Sequence, residues 1–266
     1  MIKSINILFV LFLNIFMSCT HKRVDNRSYV VTKGNSGNIE SEINYINDTV
    51  MDGIAKYYYK RGVIKEEINY SEGLKDGLHT SYYRNGNIES KLQFKNGMRE
   101  GNSEWYFPNG RIKEKGIWLN NKAFGNAFFY HENGLLETFN SYDFSEHNRY
   151  LIKYDVNGKK IKEEGTVLGQ FLLDGNFDAI PLNKPMVAKV SVVVPPSSKV
   201  IVFVGELKKS KLIEVDTLPI QNNIAIYKQI FKEAGKHTLV TVGEMKDLKG
   251  NIVKQDTIYT EITVIE

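Results

Sequence analysis

The segment Gly77-Leu78-His79-Thr80-Ser81-Tyr82-Tyr83-Arg84-Asn85-Gly86-Asn87-Ile88-Glu89-Ser90-Lys91-Leu92-Gln93-Phe94-Lys95-Asn96-Gly97-Met98-Arg99-Glu100-Gly101 holds one full structural period. Leu78–Tyr83 is a short β-prone run, and Arg84-Asn85-Gly86-Asn87 follows it. Asn-Gly is the strongest short hairpin signal, because both central residues of a tight hairpin turn must accept φ > 0. The next run puts Ile88, Leu92 and Phe94 on one face and Glu89, Lys91 and Gln93 on the other, by the period of two. Lys95-Asn96-Gly97 supplies a second turn. The segment predicts one β-hairpin and a turn into a further copy.

The copies surround it. Gly53, Gly77, Gly101 and Gly125 stand 24 residues apart. Gly62, Gly86, Gly110, Gly134 and Gly158 keep that spacing, as do Tyr58, Tyr82, Tyr106, Tyr130 and Tyr154. A third aromatic column runs Tyr70, Phe94, Trp118, Tyr142, and a turn column runs Gly73, Gly97, Asn121. A leading half-unit reads Gly37–Tyr45, four units fill 53–148, and a degenerate fifth fills 150–166. In that fifth copy Ile161 stands one place late, which predicts a bulge or slip. One hairpin buries too little to offset its ordering entropy. Stacked copies align their aromatics, each cross-strand pair contributing about 0.2–1 kcal/mol. The expectation is an elongated, twisted antiparallel sheet over 37–166, each unit dependent on its neighbours. Tyr59, Tyr83, Phe107 and His131 follow the tyrosine column by one residue and are expected on the opposite strand face. They are the candidate binding surface, unless that face is covered by the rest of the chain.

Tyr82-Tyr83-Arg84-Asn85-Gly86 and Lys95-Asn96-Gly97-Met98-Arg99-Glu100-Gly101 resemble the bacterial variant of the MORN repeat, and Trp105-Tyr106-Phe107-Pro108-Asn109-Gly110 is close to it. The resemblance covers roughly 37–166. It implies a repeat class and says little about function. Bacterial proteins carrying this variant are often labelled antitoxins, which makes toxin neutralisation the alternative role.

After Gly165 the period is lost. Residues 167–180 read as a connector. From 181 to 266 the chain is a succession of β-prone runs, including Val187–Val194, Lys199–Val204 and His237–Val242. Six or seven short strands there predict a sandwich. Without a cysteine pair or tryptophan, it resembles the disulfide-free immunoglobulin-like domains of envelope proteins. The whole chain is expected to be all-β.

Residues 1–18 are set aside as a targeting segment. Ile5–Met17 is apolar apart from Asn6 and Asn14, and is shorter than the ~20 residues of a spanning helix. It ends Phe16-Met17-Ser18-Cys19, and Cys19 is the sole cysteine. This resembles a bacterial lipoprotein signal with a relaxed lipobox, Phe16 standing where Leu is usual. The resemblance implies lipidation at Cys19 and membrane attachment through the lipid. With Thr20 rather than Asp after the cysteine, it also implies the outer membrane, facing the periplasm. Residues 19–36 are expected to form a flexible tether.

The chain has 266 residues, 35 Lys plus Arg against 31 Asp plus Glu, and a formal charge of +4. That balance, with acids and bases interleaved, argues against nucleic acid. His21, His79, His131, His147 and His237 do not pair at metal-ligand spacing. No catalytic or dinucleotide fingerprint is present, so no cofactor and no enzyme activity are expected. The reading is a non-enzymatic envelope protein that presents its repeats to a protein or glycan, with self-association through exposed sheet edges.

Overall fold

The computed structural model describes residues 20–24, 26–143, 145, 147–173 and 179–266. Cys19 and the leader lie outside the described residues. Every regular element among those described is a β-strand.

Thirteen strands pair strictly in chain order in one antiparallel sheet. They are β1 (Thr20–Val24), β2 (Arg27–Lys33), β3 (Ile39–Ile46), β4 (Val50–Tyr58), β5 (Ile64–Ser71), β6 (Leu74–Tyr82), β7 (Ile88–Lys95), β8 (Met98–Tyr106), β9 (Ile112–Leu119), β10 (Lys122–Tyr130), β11 (Leu136–Tyr142), β12 (Asn148–Tyr154) and β13 (Lys160–Gly165). At ~4.8 Å per strand the array is roughly 60 Å long.

The sheet begins earlier than the sequence predicts. The expected tether is β1 and β2: Thr20 to Val24 pair with Val31 to Arg27, and β2 pairs with β3. Ser28 and Val31 are buried. The polar composition of 20–36 hid a strand pair whose hydrogen bonds come from the neighbouring unit.

The two turn columns differ in kind. At the hairpin column the Gly86 N–H donates to the Tyr83 carbonyl at 2.9 Å, and the Tyr83 N–H donates to the Asn87 carbonyl at 2.8 Å. Only the glycine there has positive φ, 87° at Gly86. This is a three-residue loop, a type I turn closed by a left-handed glycine, and not the two-residue turn expected. Asn85 serves through its side chain, its Oδ1 accepting from the Asn87 N–H at 3.0 Å. The two-residue geometry belongs to the other column, where Asn96 and Gly97 have φ of 48° and 80°.

The glycine column at 53, 77, 101 and 125 has a third purpose. Each glycine has positive φ and lies beside an irregularity in pairing, as between Leu92 and Phe94 opposite β8. A Cβ on Gly101 would stand 3.2 Å from the Gln93 Cβ. A further register shift falls at Tyr58, Tyr82, Tyr106, Tyr130 and Tyr154 alike. The bulge expected to mark the fifth copy is therefore common to these units, and Ile161 is simply exposed.

Beyond the array two sheets pack face to face. One has the order β14 (Leu168–Leu173), β16 (Pro185–Val192), β20 (Ile224–Ile230), β19 (Ile220–Gln221). The other has the order β15 (Ile180–Pro181), β22 (Ile252–Ile265), β21 (Gly235–Lys246), β17 (Lys199–Lys208), β18 (Lys211–Leu218). Among the described strands, β15 and β22 are the pair that runs parallel. Ala188, Val190, Ala225 and Tyr227 of the first sheet meet Val202, Val204 and Leu239 of the second in one core. The expected connector contains β14, which pairs with β16, and Val167 and Leu168 are buried. The break in the 24-residue period marks the start of the sandwich.

The same core includes Phe139, Tyr150 and Ile152 from the end of the array. The Asn223 side chain donates to Asn126 Oδ1 at 2.5 Å, and Asn126 Nδ2 donates to the Val194 carbonyl at 3.1 Å. Array and sandwich thus share buried apolar surface and specific polar contacts.

Candidate binding face

Cross-strand register carries one face of the array from β3 to β11. Ile43 pairs with Ala55, Ala55 with Ile68, Ile68 with His79 and His79 with Leu92. Leu92 then pairs with Ser103, Ser103 with Gly116, and Ala127 with Asn140. This floor is made of small and aliphatic side chains, and Ala55 and Ser103 are 1% and 0% exposed. Among the described residues no second sheet packs on it. Half-buried rings on the same face cover it: Tyr45, Tyr57, Tyr70, Phe94, Trp105, Trp118, Phe129 and Tyr142.

Cations are threaded among the rings. The Arg99 guanidinium lies 4.2 Å from the Trp118 ring centre and 5.5 Å from that of Trp105. Lys75 Nζ is 5.2 Å from the Phe94 centre, and His79 is 5.9 Å from the same ring. Such contacts contribute about 0.5–1 kcal/mol where exposed and more where dry.

Carboxylates complete the face. Glu66 Oε2 lies 3.2 Å from His79 Nε2, and Lys65 Nζ is 3.1 Å from Glu66 Oε1. Burial raises the Glu66 pKa, but Lys65 and His79 outweigh it and leave the group below its usual range. Burial lowers the His79 pKa, helped by Lys75. Glu114 goes the other way, raised by burial despite Lys113 and Arg99. His79 Nδ1 and Ser103 Oγ are buried and have no hydrogen-bond partner among the described residues. The face combines aromatic surface, charges of both signs and two unpaired polar atoms.

The opposite face is different. Tyr58 donates to Glu42 at 2.9 Å, Tyr82 to Glu67 at 2.9 Å and Tyr106 to Glu104 at 2.5 Å. Burial first, then these bonds, push the three phenols up to about 12. Towards β12 this face is covered by the sandwich, through Phe139, Tyr150 and Ile152.

Tyr59, Tyr83, Phe107 and His131 lie on neither strand face. Each follows the last residue of its strand and opens the hairpin loop. Tyr59 donates to the Tyr82 carbonyl at 2.9 Å and Tyr83 to the Tyr106 carbonyl at 2.6 Å. His131 Nε2 lies 3.3 Å from the Tyr154 carbonyl. Tyr59, Tyr83 and His131 tie one repeat to the next along the turn edge, and Phe107 makes no such bond. The expectation that they alternate with the tyrosine column failed because the strand ends at that column. The sequence-based expectation did not include Tyr57, Trp105, Phe129 or Arg99; Ser81 interrupts the aromatic column between Tyr57 and Trp105.

Among the described residues, no three His, Cys, Asp or Glu side chains converge as a metal site would require. A single-layer β array of repeated hairpins with an uncovered aromatic and charged face defines a repeat-built binding protein. Three consecutive stretches, residues 51–72, 75–96 and 99–120, match the MORN repeat variant. They correspond to the hairpins β4–β5, β6–β7 and β8–β9. Repeats of this type are generally non-catalytic binding units. No curated protein matches the chain.

Proposed function

We propose that the protein is a non-enzymatic, lipid-anchored binding protein of the cell envelope, held at Cys19 in the outer membrane and facing the periplasm. Its array binds a protein or glycan partner through the face carrying Trp105, Trp118 and Arg99. The observation behind this reading is that the aromatic and charged side chains fall on the face opposite the one the sandwich covers. Rings at fixed intervals offer stacking surface along an extended ligand, and the flanking charges orient it.

The sandwich is read as immunoglobulin-like. Its strand order supports this, with the first strand divided so that β14 joins one sheet and β15 runs parallel to the last strand in the other. The leader's apolar run and Ser18-Cys19 support the anchor, since each buried CH₂ contributes about 0.8 kcal/mol and two or more chains hold a protein stably.

Affinity capture from detergent-solubilised envelopes tests the binding role. The wild type is expected to retain a partner that a Trp118→Ala, Arg99→Ala variant loses while keeping its melting transition. Equal capture by both would remove the face from the mechanism. Trp105 and Trp118 are the protein's two tryptophans, so their emission should shift when the partner is added. Cys19→Ala should abolish lipid labelling and release the protein to the soluble fraction. Membrane retention of that variant would refute the anchor.

A further inference from the structure

We propose that the cleft between the last array hairpin and the sandwich binds a small carboxylate with an apolar body. The cleft has a volume of about 620 Å³, within the range of ordinary ligand sites, and junctions between units are where such sites concentrate. The hairpin contributes Ile152 and Tyr154 to its wall, and the sandwich contributes Pro195, Pro196 and Val253. These surfaces would take the body of the ligand.

The charges select its head group. Both carboxylates of the cleft are compensated from within. Glu163 accepts from the Tyr150 hydroxyl at 2.7 Å and from Lys160. Asp247 accepts from the N–H groups of Lys249 and Asn251, each at 2.9 Å. Lys254 makes no hydrogen bond or ion pair among the described residues and acts on Glu163 only through space, helping to lower its pKa against the effect of burial. The Lys254 ammonium stands 5.1 Å from the Tyr150 ring centre, and no described carboxylate lies within ion-pairing distance. Glu163 thus faces two ammoniums, Lys160 and Lys254, and the surplus positive charge beside a ring favours an incoming anion. A dianion would add repulsion from Glu163 and Asp247, so a single carboxylate fits best. Because both units line the cleft, the ligand would also hold sandwich to array.

The test is titration of the isotope-labelled full chain with phenylacetate, followed by amide shifts. Saturable shifts are expected at Gly158, Ser197 and Val253. Lys254→Met keeps the apolar stem and should weaken binding roughly tenfold or more, as loss of a charge-assisted contact does. Lys254→Arg should retain it, and neutral phenylacetamide should bind no better than to Lys254→Met. An unchanged spectrum outside the cleft shows that each variant is folded. The proposal is overturned if shifts fail to saturate in the cleft, if acid and amide bind alike, or if Lys254→Met binds as the wild type does.

Discussion

The Tyr83 hydroxyl donates a hydrogen bond to the main-chain carbonyl of Tyr106, 2.6 Å away and one repeat downstream. Tyr59 makes the same bond to Tyr82 at 2.9 Å. The next member of the column is Phe107, which has no hydroxyl to offer. Tyr83→Phe is expected to destabilise the protein by about 0.5–1.5 kcal/mol, and Phe107→Tyr to stabilise it by a similar amount through a new bond to the Tyr130 carbonyl. Urea denaturation midpoints measure both. No gain from Phe107→Tyr would show that the tie depends on more than the hydroxyl.

Gly101 is the tightest member of its column. Its φ is 108°, and an added Cβ would meet the Gln93 Cβ at 3.2 Å. Gly101→Ala should cost about 1–3 kcal/mol from backbone strain alone. Gly110, with φ of 84° and open space around it, should pay only the conformational part, so Gly110→Ala is the milder change. Thermal melting of the two variants compares them directly.

High pH should loosen the array. Tyr58, Tyr82 and Tyr106 titrate near 12 in the fold, through burial and their bonds to Glu42, Glu67 and Glu104. An unfolded phenol titrates at about 10. The unfolded chain therefore loses these protons first, and stability is complete below pH ~10 and is lost as pH rises towards ~12. Denaturation midpoints across that window should fall steeply, and less steeply when the three tyrosines are replaced by Phe. A flat profile would contradict the assigned bonds.

The sandwich stabilises the last hairpins. Phe139 and Tyr150 are 0% and 1% exposed, within the core shared with the sandwich. Removal of residues 167–266 would bare them, at a cost of about 1.5–3 kcal/mol for each large side chain. Hydrogen exchange is expected to show β11–β13 losing protection in the shortened chain while β5–β8 keep theirs. Equal protection throughout would mean that the array is self-sufficient.

How far the molecule was legible depended on where its information sits. Gly77, Tyr82, Gly86, Phe94 and Gly97 each recur because a local conformation demands them, so the repeat and its hairpins could be read directly. The column holding Trp105 is interrupted by Ser81, and its importance comes from sharing a face with Arg99 and Trp118, which register decides. Residues 20–33 and 168–173 were misassigned for a related reason: neither segment has a strong local pattern, and each becomes a strand by pairing with a neighbour.

The order of residues alone determined an all-β chain of stacked hairpins, since turn chemistry and side-chain alternation act over a few bonds and repeat with the sequence. Tertiary structure decided which face of the sheet meets the sandwich, which rings gather around Arg99, and that Lys254 looks across a cleft at an array hairpin. Those outcomes depend on register and on contacts between residues far apart in the chain, such as Tyr150 with Met245 and Asn126 with Asn223. No local propensity encodes them.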